Sequence, residues 1–341
     1  MLNKIYRLLK RKIYKFLLKN VSNFFNNPSI IAIKSLPSST KVVLIDIGAA
    51  GEIEPRWKPY SYLIKYFGFE PDVRSSDNLN NIVKSFLDYK IFPTALSETE
   101  KDSEFYLCKK PEVSSLYKPN ISLLKNFPDK ERFSVINKQS LKTVSLDSYN
   151  IENNDFIKID VQGSELNILN GANKTLEKTF GLELEIEFLE LYQDQPLFGE
   201  VCKKLAEKGF QFIDFVNLAR WERKEHNSFG QCVFGDALFL KTPETLDIKN
   251  MDISKICTYL TILIIYKRYD LVDITLDMLD EKLKDDFFIK FKPTLINLIF
   301  ASILLVGLKF NKLFLRMAMS KAFVLKESTW KKLTIRWSSF F

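Results

Sequence analysis

The 341-residue chain has a single histidine, His226, and this excludes any multi-histidine metal centre. Its four cysteines, Cys108, Cys202, Cys232 and Cys257, are scattered without a C-x-x-C pair. They read as reduced core thiols of a cytoplasmic protein, not as a disulfide frame or a zinc site. The G-x-G-x-x-G turn of dinucleotide folds and the Gly-Lys-Ser/Thr ending of phosphate loops are both missing. No apolar run reaches the roughly 20 residues a bilayer core requires. The nearest, Thr294 to Leu308, is interrupted by Asn297 and Ser302 and reads as a buried helix. The first 45 residues contain no acid at all.

That last absence locates the charge. The same 45 residues hold nine lysines and arginines, against a whole-chain charge of +8, so the remainder is close to neutral. A basic nucleic-acid surface on the fold itself is therefore not expected. At helical spacing Leu2, Ile5, Tyr6, Leu9, Ile13, Phe16 and Leu17 share one side and the cations the other. This pattern suits a helix lying on an anionic membrane surface, at the inner face of the cytoplasmic membrane, or a helix packed on the domain with solvated lysines. Charges interrupt the apolar stretch and no small-residue cleavage site follows, so it does not read as a signal peptide.

The most informative run is Val42-Val43-Leu44-Ile45-Asp46-Ile47-Gly48-Ala49-Ala50-Gly51. An apolar strand ends in an acid and breaks into a small-residue turn that lets backbone N–H groups approach a ligand. Some twenty residues on, Phe67-Gly68-Phe69-Glu70 is a second strand with a carboxylate at its tip. In a βαβ unit that acid lies where ribose hydroxyls would be, pointing to an adenosine-containing cofactor. The competing reading is a purely structural turn.

Further along, Pro59 to Tyr66 is expected as a helix, residues 75–87 as another, and Tyr89 to Ala95 as a strand. Strands are also expected at Ser103–Cys108, Leu141–Leu146, Phe156–Asp160, Leu182–Phe188, Phe210–Phe215 and Ala237–Leu240. Helices are expected from Ser164, ended by Gly171, and over 197–208, capped by Gly209. Alternating strands and helices predict an α/β fold, a Rossmann-like, mostly parallel sheet with helices on both faces. Beyond about residue 250 only helical patterns remain. The expected division is a basic helical arm and linker (1–40), an α/β domain (41–245) and a C-terminal all-α region (246–341).

Asp46-Ile47-Gly48-Ala49, Phe69-Glu70-Pro71, Ser145-Leu146-Asp147 and Ile157-Lys158-Ile159-Asp160-Val161-Gln162-Gly163-Ser164-Glu165 together resemble the FkbM-type class I methyltransferases. So do Leu169-Asn170-Gly171-Ala172, the Tyr192-Gln193-Asp194-Gln195-Pro196 run and Gly235-Asp236-Ala237-Leu238-Phe239. The likeness covers roughly residues 40–241 in the family's order. It implies an S-adenosylmethionine-dependent O-methyltransferase acting on a sugar hydroxyl, as in polysaccharide biosynthesis. Expected cofactor contacts are Asp46, Gly48, Ala49, Gly51, Glu70, Pro71, Ala95, Leu96 and Asp160. Glu52 stands where family members usually carry a second glycine.

Methyl transfer requires an acceptor oxygen held on the methyl axis and relieved of its proton. Asp160 is the first candidate base, with a helix N-cap or cofactor contact as its alternative. Glu185 and Glu187 share a strand face with each other and, with Asp160, are potential ligands of a divalent cation, although no spacing specifies one. His226 has the pKa suited to a base but sits in a polar run typical of a solvated loop. Gln162, Glu187, Tyr192 and Trp221 are the expected acceptor contacts, the two aromatics stacking on a sugar ring or packing in the core. A catalytically degenerate binding protein and a nicotinamide-dependent reductase are the alternatives to a methyltransferase.

Overall fold

A computed structural model describes residues 40–50, 53–72, 74–75, 83–224 and 229–279, with Ile33 and Leu36. The chain divides into two compact units, residues 39–279 and residues 1–38 with 280–341. All described strands and helices belong to the first. The amphipathic segment Leu2–Leu17, Gly51, Glu52, His226 and the Thr294–Leu308 segment lie outside the described residues.

In chain order the strands are β1 (Val42–Ile47), β2 (Ile64–Phe69), β3 (Asp88–Phe92), β4 (Ala95–Leu96), β5 (Lys101–Cys108), β6 (Val135–Val144), β7 (Phe156–Ile159), β8 (Gly181–Glu187), β9 (Gln211–Trp221) and β10 (Gln231–Leu240). The helices are α1 (Ile121–Leu124), α2 (Glu165–Asn170), α3 (Asn173–Lys178), α4 (Phe198–Glu207), α5 (Ile253–Ile265) and α6 (Tyr269–Asp277). Seven strands form one sheet in the order β3-β2-β1-β7-β8-β10-β9, and β4-β6-β5 form a smaller one. From β3 to β8 every pairing is parallel, while β10 runs antiparallel to both β8 and β9. The expected α/β, Rossmann-like sheet is therefore present.

Strand composition follows position. All six residues of β1 are buried, as a central parallel strand covered on both faces requires. In β8, Leu182, Leu184 and Ile186 join Ile157 and Ile159 of β7 in the main core, where Ile168 and Leu169 of α2 and Val201 and Leu205 of α4 cover them. Glu183, Glu185 and Glu187 consequently project from the opposite face. There Tyr266, the C-cap of α5, stacks on Phe156 and donates its hydroxyl to Glu183 at 2.5 Å. Helix α5 thus belongs to the same unit as the sheet.

Several boundaries differ from the sequence expectations. The expected helix at Pro59–Tyr66 is a short 3-10 segment, Lys58–Leu63, because Ile64 onward pairs with β1. The expected strand Tyr89–Ala95 breaks at Pro93, which lacks the N–H a ladder needs, and Ala95–Leu96 joins the smaller sheet. Strand β6 begins at Val135, not Leu141, since its exposed polar half is held by β5 and shows no apolar alternation.

Candidate active site

The turn after β1 is fixed by backbone geometry. Gly48 has φ +75°, and a Cβ there would lie 1.8 Å from the carbonyl oxygen of Asp160. Its N–H donates to the Phe69 carbonyl at 2.9 Å, while Asp160 N–H donates to the Ile47 carbonyl at 2.9 Å. The ends of β1, β2 and β7 are thereby drawn together at their carboxyl edge, where ligands of such sheets bind.

A cleft of about 520 Å³ opens over these ends. Its wall contains Gly48, Glu70, Pro71, Ala95, Leu96, Asp160 and Gln162, seven residues assigned to cofactor, acceptor or catalysis from sequence alone. Phe69, Leu96 and Phe105 supply apolar surface. Four carboxyl groups, of Glu70, Asp72, Glu112 and Asp160, face it, and among the described lining residues none is lysine or arginine. Asp72 is paired with Arg74, whose Nε reaches both carboxylate oxygens at 2.9 Å. Glu70 Oε1 accepts the Asp72 N–H at 2.7 Å, which holds this buried carboxyl at the strand tip. Burial pushes its pKa up to about 7 against the lowering effect of that hydrogen bond.

Beside the cleft the polar sheet face carries Lys158 and, against Glu183, Arg56 among several acids. Lys158 Nζ lies 3.8 Å from Asp46 Oδ1 and 3.6 Å from Asp160 Oδ2. Burial opposes its charge, but Asp46, Asp160, Glu183 and Glu54 outweigh that and raise its pKa. Asp46 is also bonded by the Tyr66 hydroxyl at 2.8 Å, and burial raises its own pKa. Gln162, at φ +59°, donates Nε2 to Asp160 Oδ1 at 2.9 Å and to Glu185 Oε1 at 2.5 Å. Its Oε1 accepts the Tyr192 hydroxyl at 2.9 Å. One amide therefore ties the ends of β7 and β8 to the segment after β8. Burial pushes the pKa values of Glu185 and Glu187 well above the carboxylate range.

Not every expected site residue reaches the cleft. Asp46 lies beneath it, and Ala50, not Ala49, contributes to its wall. Glu185 is one hydrogen bond removed, through Gln162, and Glu187 is buried. Tyr192 is fully buried with its ring against Phe133, which leaves no face for a sugar. Trp221 is partly buried and packs on Phe127, Phe133 and Phe234 beneath the Arg132 guanidinium, at the margin of the smaller core. Among the described residues no group of three or more His, Cys, Asp or Glu side chains is arranged to hold a metal ion. Sequence reasoning missed Lys158 and Arg74 as site neighbours. The signal for Lys158 was a lysine alternating with apolar residues inside a buried strand.

A seven-stranded sheet of this order, with one antiparallel strand next to its edge and a cleft over β1, β2 and β7, is the Rossmann-like class I methyltransferase fold. Residues 47–212 match the family model described as the methyltransferase FkbM domain. Among solved structures, the chain resembles methyltransferase FkbM from Methylobacillus flagellatus KT, at 13% identity and TM-score 0.36, over 59% of this chain and 43% of that one. It also resembles magnesium protoporphyrin IX methyltransferase from Synechocystis PCC 6803, at 7% identity and TM-score 0.32, over 66% and 81%.

Residues 274–341 match a second family model, that of intracellular septation protein A. The inner membrane-spanning protein YciB of Sinorhizobium fredii is 52% identical over 59 residues, 17% of this chain and 28% of that protein. The chain thus spans little more than a quarter of the length of this relative. Among the described residues no helix is long and apolar enough to cross a membrane.

Proposed function

We propose that the chain is an S-adenosylmethionine-dependent O-methyltransferase whose acceptor is a sugar hydroxyl of a glycan or glycan precursor. The observation that carries the cofactor reading is the charge of the cleft, which has four carboxyl groups and no basic side chain among its described lining residues. Such a wall favours a cationic ligand and disfavours the pyrophosphate of a nicotinamide dinucleotide. Glu70, Pro71, Ala95 and Leu96 would hold the adenosine part, with Glu70 accepting from the ribose hydroxyls. Gly48 and Asp160 would border the methionine part.

S-adenosylmethionine would supply the sulfonium methyl group and its own leaving group. The chain's contribution is position and proton removal. Asp160, fixed by Gln162 on one oxygen and attracted by Lys158 on the other, would orient the acceptor hydroxyl and take its proton. Gln162 and Glu185 would hold that geometry, with Glu187 beside them. His226 remains a candidate for the same proton. Calorimetry tests this directly: S-adenosylmethionine and S-adenosylhomocysteine should bind, and tighter binding of NAD would replace this reading with the reductase.

A second reading concerns location. The septation-protein match over residues 274–341, together with the inner-membrane relative, supports a membrane-associated C-terminal region. The basic N-terminal segment would add attraction to anionic lipid at the cytoplasmic face.

A further inference from the structure

Two buried hydroxyl groups converge on Gln162, the cleft residue whose amide holds Asp160. Ser115 is 1% exposed and does not line the cleft, although its neighbours Ser114 and Leu116 do. Its Oγ donates to the Gln162 carbonyl oxygen at 2.7 Å and accepts the Tyr117 N–H at 2.9 Å. The hydroxyl of buried Tyr192 lies 2.9 Å from Gln162 Oε1 and 3.0 Å from the Val113 carbonyl oxygen. Both side chains stand on fixed backbone. The Tyr106 N–H of β5 donates to the Ser115 carbonyl at 2.8 Å. Tyr192 is bracketed by the bonds from Asn120 N–H to the Leu191 carbonyl and from Gln193 N–H to the Lys118 carbonyl, both 2.8 Å.

Gln162 requires such support. Its φ of +59° is a left-handed conformation, unfavourable for a residue with a side chain, and it persists where the surroundings over-determine it. Glu165 Oε1 accepts the N–H groups of Val161 and Gly163, at 3.1 and 3.2 Å, on either side of Gln162 in the chain. The Ser115 hydroxyl fixes the carbonyl between them. The side-chain amide is fully used as well. Its nitrogen donates to Asp160 Oδ1 and Glu185 Oε1, and its oxygen accepts from Tyr192. A flipped amide would place its oxygen between two carboxyl groups, so this orientation is the one the surroundings enforce.

We infer that Ser115 and Tyr192 are positioning residues which, acting through Gln162, aim the Asp160 carboxyl at the point where the methyl group is transferred. This rests on the methyltransferase reading and deepens it. The two residues lie 47 and 30 positions from Gln162 in sequence, Ser115 in the excursion between β5 and β6 and Tyr192 after β8. Segments outside the strands that border the cofactor thereby take part in the reaction.

The test needs no acceptor. Sinefungin is an S-adenosylmethionine analogue with an amine on carbon in place of the sulfonium methyl, and S-adenosylhomocysteine lacks that group altogether. Calorimetry on the full-length chain gives the ratio of the two affinities. Asp160→Asn should lower sinefungin affinity about tenfold, as for the loss of a hydrogen bond to a charged group. Ser115→Ala and Tyr192→Phe should each lower it at least about threefold, while S-adenosylhomocysteine affinity stays within about twofold. In a Gln162→Ala background neither substitution should lower the ratio further, whereas a role in folding alone would subtract again. Tyr192→Phe keeps the ring against Phe133, so it folds even if Ser115→Ala does not. An unchanged ratio in any folded single variant, or additive losses in the Gln162→Ala background, overturns the inference. Failure of the wild-type chain to bind S-adenosylhomocysteine overturns the methyltransferase reading instead.

Discussion

Gly48 and Asp160 touch backbone to backbone: a single added carbon at position 48 would sit 1.8 Å from the Asp160 carbonyl oxygen. The turn after β1 and the acid after β7 therefore occupy one rigid junction. Gly48→Ala combines this overlap with a left-handed φ, a conformation costing L-residues about 1–3 kcal/mol. Urea unfolding should show a loss of at least that size, and S-adenosylmethionine affinity should fall with it. A variant of wild-type stability would mean the junction is loose.

Glu70→Ala should weaken S-adenosylmethionine binding by roughly 1.5–3 kcal/mol, the range for a hydrogen bond to a charged group. With the Glu70 pKa near 7 in the folded protein, wild-type binding should tighten as pH rises through 7, when the carboxylate forms. Glu70→Gln should flatten that profile. Calorimetry at a series of pH values reads both effects.

The same groups set the pH dependence of stability. Burial pushes Glu70, Glu165 and Asp236 up to about 7, above the values of unfolded chains. Between those values the folded state holds more protons than the unfolded one, so stability falls as pH rises. The ligand-free protein should be more resistant to urea at pH 5.5 than at pH 7.5. Asp236→Asn should reduce that slope, and an unchanged slope would show that its carboxyl is solvated.

Lys158 is the buried counter-charge of Asp46 and Asp160, and removing it leaves two carboxylates facing each other. Lys158→Met should cost roughly 3–5 kcal/mol, as for a broken buried ion pair. Asp160→Asn differs, because the amide keeps the hydrogen bond from the Gln162 side and relieves repulsion with Glu185. It should melt within a few degrees of wild type and lose most methyl transfer. Full activity in Asp160→Asn would shift the base assignment to His226.

Short motifs were legible because each constrains a local junction. The Asp46–Gly48 turn, Glu70 at a strand tip and Asp160-Val161-Gln162-Gly163 all carry their geometry in adjacent residues, and all meet at one edge of the sheet. Tyr192 and Trp221 were not, since an aromatic beside a polar run looks alike in a lid and in a core. Only the contacts of Tyr192 with Phe133 and of Trp221 with Arg132 decide. The hydrogen bond from Ser115 to Gln162 was equally hidden, because it joins residues 47 positions apart in sequence. Likewise α5 read as part of a separate helical region, whereas Tyr266 stacks on Phe156 of β7.

Location gives the last prediction. Seven lysines and arginines occur within the first nineteen residues, and each contributes about 1 kcal/mol near an anionic surface. Residues 274–341 match the septation-protein model independently. The two segments respond differently to salt, since electrostatic attachment is screened and apolar insertion is not. Full-length protein should float with anionic liposomes at low and high salt. A variant lacking residues 1–34 should float in both conditions if residues 280–341 insert, and one lacking residues 280–341 should float only at low salt. If both truncated variants stay in the soluble fraction at low salt, neither segment binds membrane by itself and the location reading fails.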